Sequence, residues 1–116
     1  MAFHRELLRS ESILSAVELE HYENNTFICV AGCVIARQRP GTAKGFVFLS
    51  LEDETGITNV IITPDIFERE RIVVTRSRFL RIEGRLQKQD GVIHVKASRI
   101  MPIDITRAEI RSHNFH

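Results

Sequence analysis

The sequence is short of several things at once: tryptophan is absent, tyrosine occurs once, and 116 residues contain two cysteines and three prolines. No apolar run approaches the roughly 20 residues that cross a bilayer, and the N-terminal MAFHRELLRSE lacks the apolar centre of a secretory signal. A cytoplasmic chain is expected on both counts. Cys29 and Cys33 stand four apart in a stretch that reads as strand, where a rise of about 3.3 Å per residue separates their Cα atoms by roughly 13 Å. That spacing excludes a mutual disulfide and argues against a shared metal ion, so small buried thiols are expected. The five histidines (His4, His21, His94, His113, His116) show no metal-ligand spacing. No glycine-rich phosphate loop, nucleophile motif or paired carboxylates appear, so an enzyme acting alone has no candidate residues and no cofactor is expected.

No charge of one sign dominates either, the formal net charge being +1, but the charge is unevenly spread. Residues 1–36 carry five acids and two bases, and residues 37–51 three bases and no acid. Residues 52–75 carry six acids and two bases, and residues 76–99 seven bases and two acids. A fold that brings the two basic blocks onto one surface would hide a positive face behind a neutral total, the footprint of phosphate binding; the alternative is a mixture of solvated charges. With 43% hydrophobic and 27% charged residues, the chain has the composition of one globular domain with one core.

Ser15 followed by Glu18 has capping-box spacing, and Leu14 and Leu19 are placed to form a hydrophobic staple, which predicts a short helix over about residues 16–23. Phe27–Arg37 (FICVAGCVIAR) reads as the first strand, with Gly32 suited to a sharp bend. Residues 38–45 (QRPGTAKG) read as a basic loop. Residues 46–51 alternate, which predicts Val47, Leu49 and Leu51 inward and Phe46, Phe48 and Ser50 outward. A tight EDETG turn at 52–56 leads to a third strand, 57–62, with Val60 and Ile62 inward and Asn59 and Ile61 outward. Thr63 and Pro64 open a helix of about eight residues, PDIFERER. A fourth strand over 78–88, an Asp90-Gly91 hairpin and a fifth strand over 92–100 complete the order β-β-β-α-β-β. That is the order of the OB-fold, an all-β five-stranded Greek-key barrel with a helix between strands three and four plugging one end. The expected division is a helical lead-in at 1–25, the barrel at 26–101 and a tail at 102–116.

The stretch RQRPGTAKG, followed by LEDETG, a P-x-x-F-E-R helix and EGRLQKQDGVIHVKASRI, resembles the OB-fold near the C-terminus of bacterial family C DNA polymerase α subunits. The likeness is greatest to the error-prone, damage-associated type. It runs through residues 27–100, and the terminal HNFH resembles the S-x-D-F-H ending of those polymerases, with Asn114 where an acid would stand. The resemblance implies an excised C-terminal piece of a longer polymerase that uses magnesium and nucleoside triphosphates, with the catalytic carboxylates lying outside this piece. It also implies single-stranded DNA, the remaining polymerase domains and mutasome proteins as partners, in DNA repair and translesion synthesis. Gly45, Phe48, Leu51, Asp53 and Gly56 also fill a G-x-x-F-x-x-L-x-D-x-x-G pattern found in anticodon-binding OB-folds of class II aminoacyl-tRNA synthetases. In that pattern the phenylalanine stacks on a base.

A barrel that grips single strands needs an apolar platform for bases and cations for the backbone. Phe48 is the leading stacking candidate and Phe46 a weaker one; the alternative is that Phe48 is covered by the N-terminal helix or another domain. Arg37, Arg39 and Lys44, around the first loop, are expected to contact phosphate. Asn59, Arg81, Arg85, Lys88, His94 and Lys96 are further candidates whose faces depend on strand register. Asp53 is expected to hydrogen-bond the turn's own backbone and not to hold a metal. The leading function is a single-stranded-DNA-binding module that holds template near a polymerase active site. A protein-interaction barrel docking through the Phe46 and Phe48 face is the alternative, and an anticodon-binding role is a weaker third.

Overall fold

The computed structural model describes residues 13–39 and 44–103. Positions 1–12, 40–43 and 104–116, and with them His4, His113, His116 and the terminal HNFH, lie outside the described residues.

Five strands, β1 (Phe27–Gln38), β2 (Val47–Asp53), β3 (Gly56–Ile62), β4 (Phe79–Gln89) and β5 (Val92–Pro102), close into a barrel in the order β1-β2-β3-β5-β4. Every neighbouring pair is antiparallel except β3 with β5, which are parallel. The inward alternation expected of β2 and β3 is present: Val47, Leu49, Leu51, Val60 and Ile62 are buried. Val30, Leu80, Ile82, Leu86 and Val95 meet them from the other three strands. Each such side chain contributes about 1.5–3 kcal/mol through removal from water, which makes this single interior the main source of stability.

Closing so few strands demands sharp bends, and two glycines supply them. A Cβ on Gly32 would lie 2.8 Å from the Glu52 carbonyl oxygen, and one on Gly84 would lie 2.1 Å from that of Lys96. At these points only a residue without a side chain lets β1 cross β2 and β4 cross β5. The Asp90-Gly91 turn has positive φ at both residues (53° and 79°), as a two-residue hairpin of type I′ requires.

Two expectations need correction. The helix after β3 does not stop after eight residues. It is a pair, α1 (Pro64–Arg69) and α2 (Arg71–Arg76), broken at Glu70, whose ψ is 23°. The second helix, RIVVTR, is rich in β-branched residues and poor in helix propensity, and it is held by tertiary packing, since Val74 is fully buried under the barrel end. The cysteines are not buried core thiols either. Both are half-buried on the outer surface of β1, Cys29 opposite Glu83 and Cys33 opposite Phe79, and no disulfide joins them.

The lead-in helix is a 3₁₀ turn, Ala16–His21, in which Glu18 accepts from the Ser15 amide at 2.8 Å and Leu19 is buried. It lies at the end of the barrel where β2 turns into β3 and β4 into β5. Asp53 ties it there, accepting from the Ala16 amide at 2.7 Å through one carboxylate oxygen. The other oxygen accepts from Thr55 N and Thr55 Oγ1, both at 2.7 Å, and from Gly56 N at 3.1 Å. Asp53 thus binds backbone groups as expected, and its reach extends 37 residues back along the chain.

Candidate nucleic-acid interface

Because cross-strand partners share a face, the register fixes which side chains meet on the outside of the barrel. Gln38 pairs with Phe48, Phe48 with Ile61, and Ile61 with Lys96. Lys96 pairs with Arg85, and Arg85 with Phe27. The second row runs Ala36, Ser50, Asn59, His94 and Gln87. The two rows make a surface with an apolar centre of half-buried Phe48 and Ile61, and with amide, hydroxyl and imidazole groups beside it. The cation Lys96 stands one strand away and is exposed.

Phe48, Asn59, His94 and Lys96 are therefore brought together, with Arg85 next to Lys96. The Arg85 guanidinium lies 5.7 Å from the Phe27 ring centroid and donates to the Asn25 carbonyl oxygen at 3.0 Å. Phe46 is half-buried just before β2, and Lys44 is exposed in the positive-φ turn leading into it. Both border the surface.

The other four candidates lie elsewhere. A β-bulge at Ile35, between Val34 and Ala36, inverts the alternation of β1, so Arg37 pairs with inward-facing Leu49. Its guanidinium closes the barrel end, donating from Nε to the Val74 carbonyl oxygen at 2.7 Å and from Nη2 to that of Ser77 at 2.6 Å. It neutralises the C-terminal carbonyls of α2 and does not project into the groove. Arg39 lies with its guanidinium carbon 5.0 Å from the Phe67 ring centroid, against α1. Lys88 shares the inward side with Leu86 at the opposite end, where Nζ donates to the Glu20 carbonyl oxygen at 2.9 Å. Arg81 is on the outside but beside Ala31 and Met101, away from Phe48, with Nη2 3.5 Å from Glu83 Oε2.

Ser50, Ile61 and Gln38 complete the surface without being among the sequence candidates, although the alternation of β2 and β3 turns Ser50 and Ile61 outward. Gln38 was hidden because the sequence gives no sign of the bulge. Among the described residues, no group of three or more His, Cys, Asp or Glu side chains could hold a metal ion. No helix among them is long and apolar enough to cross a membrane.

A closed five-stranded barrel of this strand order, with its helices between the third and fourth strands, places the molecule in the OB-fold class. The chain belongs to the family described as "OB-fold nucleic acid binding domain", which it matches over residues 28–103. It is similar to the error-prone DNA polymerase of Caulobacter vibrioides, 40% identical over 96% of this chain and 10% of that protein. The error-prone DNA polymerase of Pseudomonas syringae pv. tomato is 42% identical over 99% of this chain and 11% of its own length. The chain thus spans about a tenth of the length of these relatives. Among solved structures, asparaginyl-tRNA synthetase from Pyrococcus horikoshii superposes with a TM-score of 0.64 at 20% identity, over 78% of this chain and 22% of that one. At that identity the likeness shows the fold alone.

Proposed function

We propose that this chain is a single-stranded-DNA-binding module of an error-prone DNA polymerase, holding template strand near the active site during damage-induced synthesis. The observation that carries the reading is the contiguous row Phe48, Ile61, Lys96, flanked by Ser50, Asn59 and His94. An aromatic and an aliphatic side chain offer a base a sequence-tolerant surface, worth about 1–3 kcal/mol per stacked base. The adjacent cations Lys96 and Arg85 meet the phosphates, while Asn59 and Ser50 offer hydrogen bonds to base edges or sugar. The relatives named as error-prone DNA polymerases, of which this chain spans about a tenth, support DNA over RNA and a role within a larger polymerase. The module itself binds and orients.

Labelled oligothymidylate, titrated at two salt concentrations and followed by anisotropy and by amide NMR shifts, tests the proposal. Binding that weakens steeply with salt, with the largest shifts on β2, β3 and β5, is the expected result. No binding at low salt would sink it and favour a barrel that docks against other polymerase domains through the same face.

A further inference from the structure

The α2 end of the barrel carries a concentration of arginine that the single-strand groove does not use. From Arg71 to Ile82 the sequence contains four arginines and no acid. Three of them, Arg71, Arg76 and Arg78, are exposed around α2. Chain topology adds two more from β1. Arg37 bonds the carbonyl oxygen of Ser77, the residue between Arg76 and Arg78. Arg39 and Arg71 lie over one aromatic ring, their guanidinium carbons 5.0 and 5.7 Å from the Phe67 centroid.

We infer that this end is a second phosphate-binding surface for the backbone of single-stranded DNA, extending the β2–β3 groove; the inference rests on the single-strand reading above. Continuity is the first argument. The row Lys96, Ile61, Phe48 ends on Gln38, the last residue of β1, and the residue that follows it is Arg39. Three strand spacings of about 4.8 Å carry a strand roughly 14 Å from Lys96 to Gln38, and one further residue delivers it to the arginines. That path is short for a barrel whose class binds about 4–16 nucleotides.

The second argument is preorganisation. Arg37 is pinned by two hydrogen bonds, Arg39 lies over Phe67, and the Arg78 guanidinium carbon lies 5.4 Å from the Phe79 ring centroid. Arginines already held by carbonyls and rings lose less freedom on meeting a phosphate than free side chains do, and their planar fork matches phosphate oxygens. Like charges crowded in this way repel, and a polyanion relieves the repulsion. Among the described residues the ion pairs of this end are Arg71 with Glu68, both exposed, and Arg69 with half-buried Glu70; with both arginines exposed to solvent, the pairs are weak. Ile72, 71% exposed in the middle of the patch, offers an apolar contact for a base passing over it.

The test compares an oligothymidylate of about six nucleotides, which fills the groove, with one of about sixteen, which also reaches the patch. The wild-type chain is expected to bind the longer strand at least about tenfold tighter, with a steeper salt dependence. The triple variant Arg71→Gln, Arg76→Gln, Arg78→Gln is expected to keep its affinity for the short strand and to lose the gain with length. Its log–log salt slope for the long strand should fall by about 2, at about 0.7 per lost phosphate contact. The corresponding triple lysine variant should retain the slope, and Arg76→Gln alone should lower it by about 0.7, which keeps the test decisive if the glutamine triple does not fold. A triple variant indistinguishable from wild type on the long strand, or a wild type that gains nothing with length, overturns the second surface and leaves the groove standing. Failure of the wild type to bind either length overturns both readings.

Discussion

Removing the Asp53 carboxylate tests whether the β2–β3 turn holds the N-terminal segment to the barrel. Asp53 is buried and accepts four hydrogen bonds, three from Thr55 and Gly56 within its own turn and one from the Ala16 amide. A hydrogen bond to a charged group is worth about 1.5–3 kcal/mol when one partner is deleted, and bonds sharing one carboxylate do not add fully. Asp53→Ala is therefore expected to cost about 3–4 kcal/mol, a large share of the 5–15 kcal/mol typical of a whole domain. Asp53→Asn separates the contributions. Its amide oxygen can still serve Thr55 and Gly56, but its NH₂ replaces the acceptor that faces Ala16, so about 1–2 kcal/mol should be lost with the turn intact. Urea unfolding gives the free energies, and amide hydrogen exchange at Ala16 and Val17 should rise in both variants. If Asp53→Ala costs less than about 1 kcal/mol, the carboxylate is not the tie, and Leu19 burial together with the Lys88 bond to the Glu20 carbonyl oxygen holds the segment.

Phe48→Ala is expected to weaken oligothymidylate binding by about 1–3 kcal/mol and to leave the melting temperature nearly unchanged; a stability loss of about 3–5 kcal/mol would instead show a core role. Arg37→Gln should behave in the opposite way, losing about 1–2 kcal/mol of stability in a urea titration with a nearly unchanged salt slope for the six-nucleotide strand. Lys44→Gln, at the border of the groove, should lower that slope without a comparable stability loss, and equal slopes in these two experiments would refute the assignment of Arg37 to the barrel end. Gly84→Ala places a methyl 2.1 Å from the Lys96 carbonyl oxygen and should abolish the cooperative unfolding transition or cost more than about 3 kcal/mol; a folded variant of normal stability would show that β4 and β5 can separate there.

How far the sequence revealed this arrangement depends on whether alternation survived along each strand. In β2 and β3 nothing interrupts it, so Val47, Leu49, Leu51, Val60 and Ile62 inward and Phe48 and Asn59 outward follow from period two alone. In β1 the bulge at Ile35 adds one residue, and Arg37, which simple alternation from Phe27 turns outward, faces the barrel end. Lys88 is different, because its parity with Ile82, Gly84 and Leu86 was readable and only its position at the end of β4 frees its amine to reach Glu20. The helix α2 could not be read from RIVVTR, whose β-branched residues favour strand; burial of Val74 decides the matter, and burial is a property of the whole fold.

The segregation of charge also follows from topology more than from composition. The basic block at 37–51 and the acidic block that starts at Glu52 are adjacent in sequence, yet β2 runs the length of the barrel between them. It carries Glu52, Asp53 and Glu54 to the end that holds the 3₁₀ helix and leaves Arg37, Arg39 and Lys44 at the other. The basic block at 76–99 begins where α2 returns the chain to that same arginine end, as the bonds from Arg37 to Val74 and Ser77 show. A chain of net charge +1 thus has one end where arginines outnumber the α1 acids Asp65, Glu68 and Glu70 and another where acids gather, joined by the Phe48 and Ile61 surface. A single strand lying on that surface is drawn toward the arginines by a gradient that the total charge conceals, and salt screens the gradient over about 10 Å at 0.1 M. Binding should therefore depend on ionic strength far more than a nearly neutral protein would suggest.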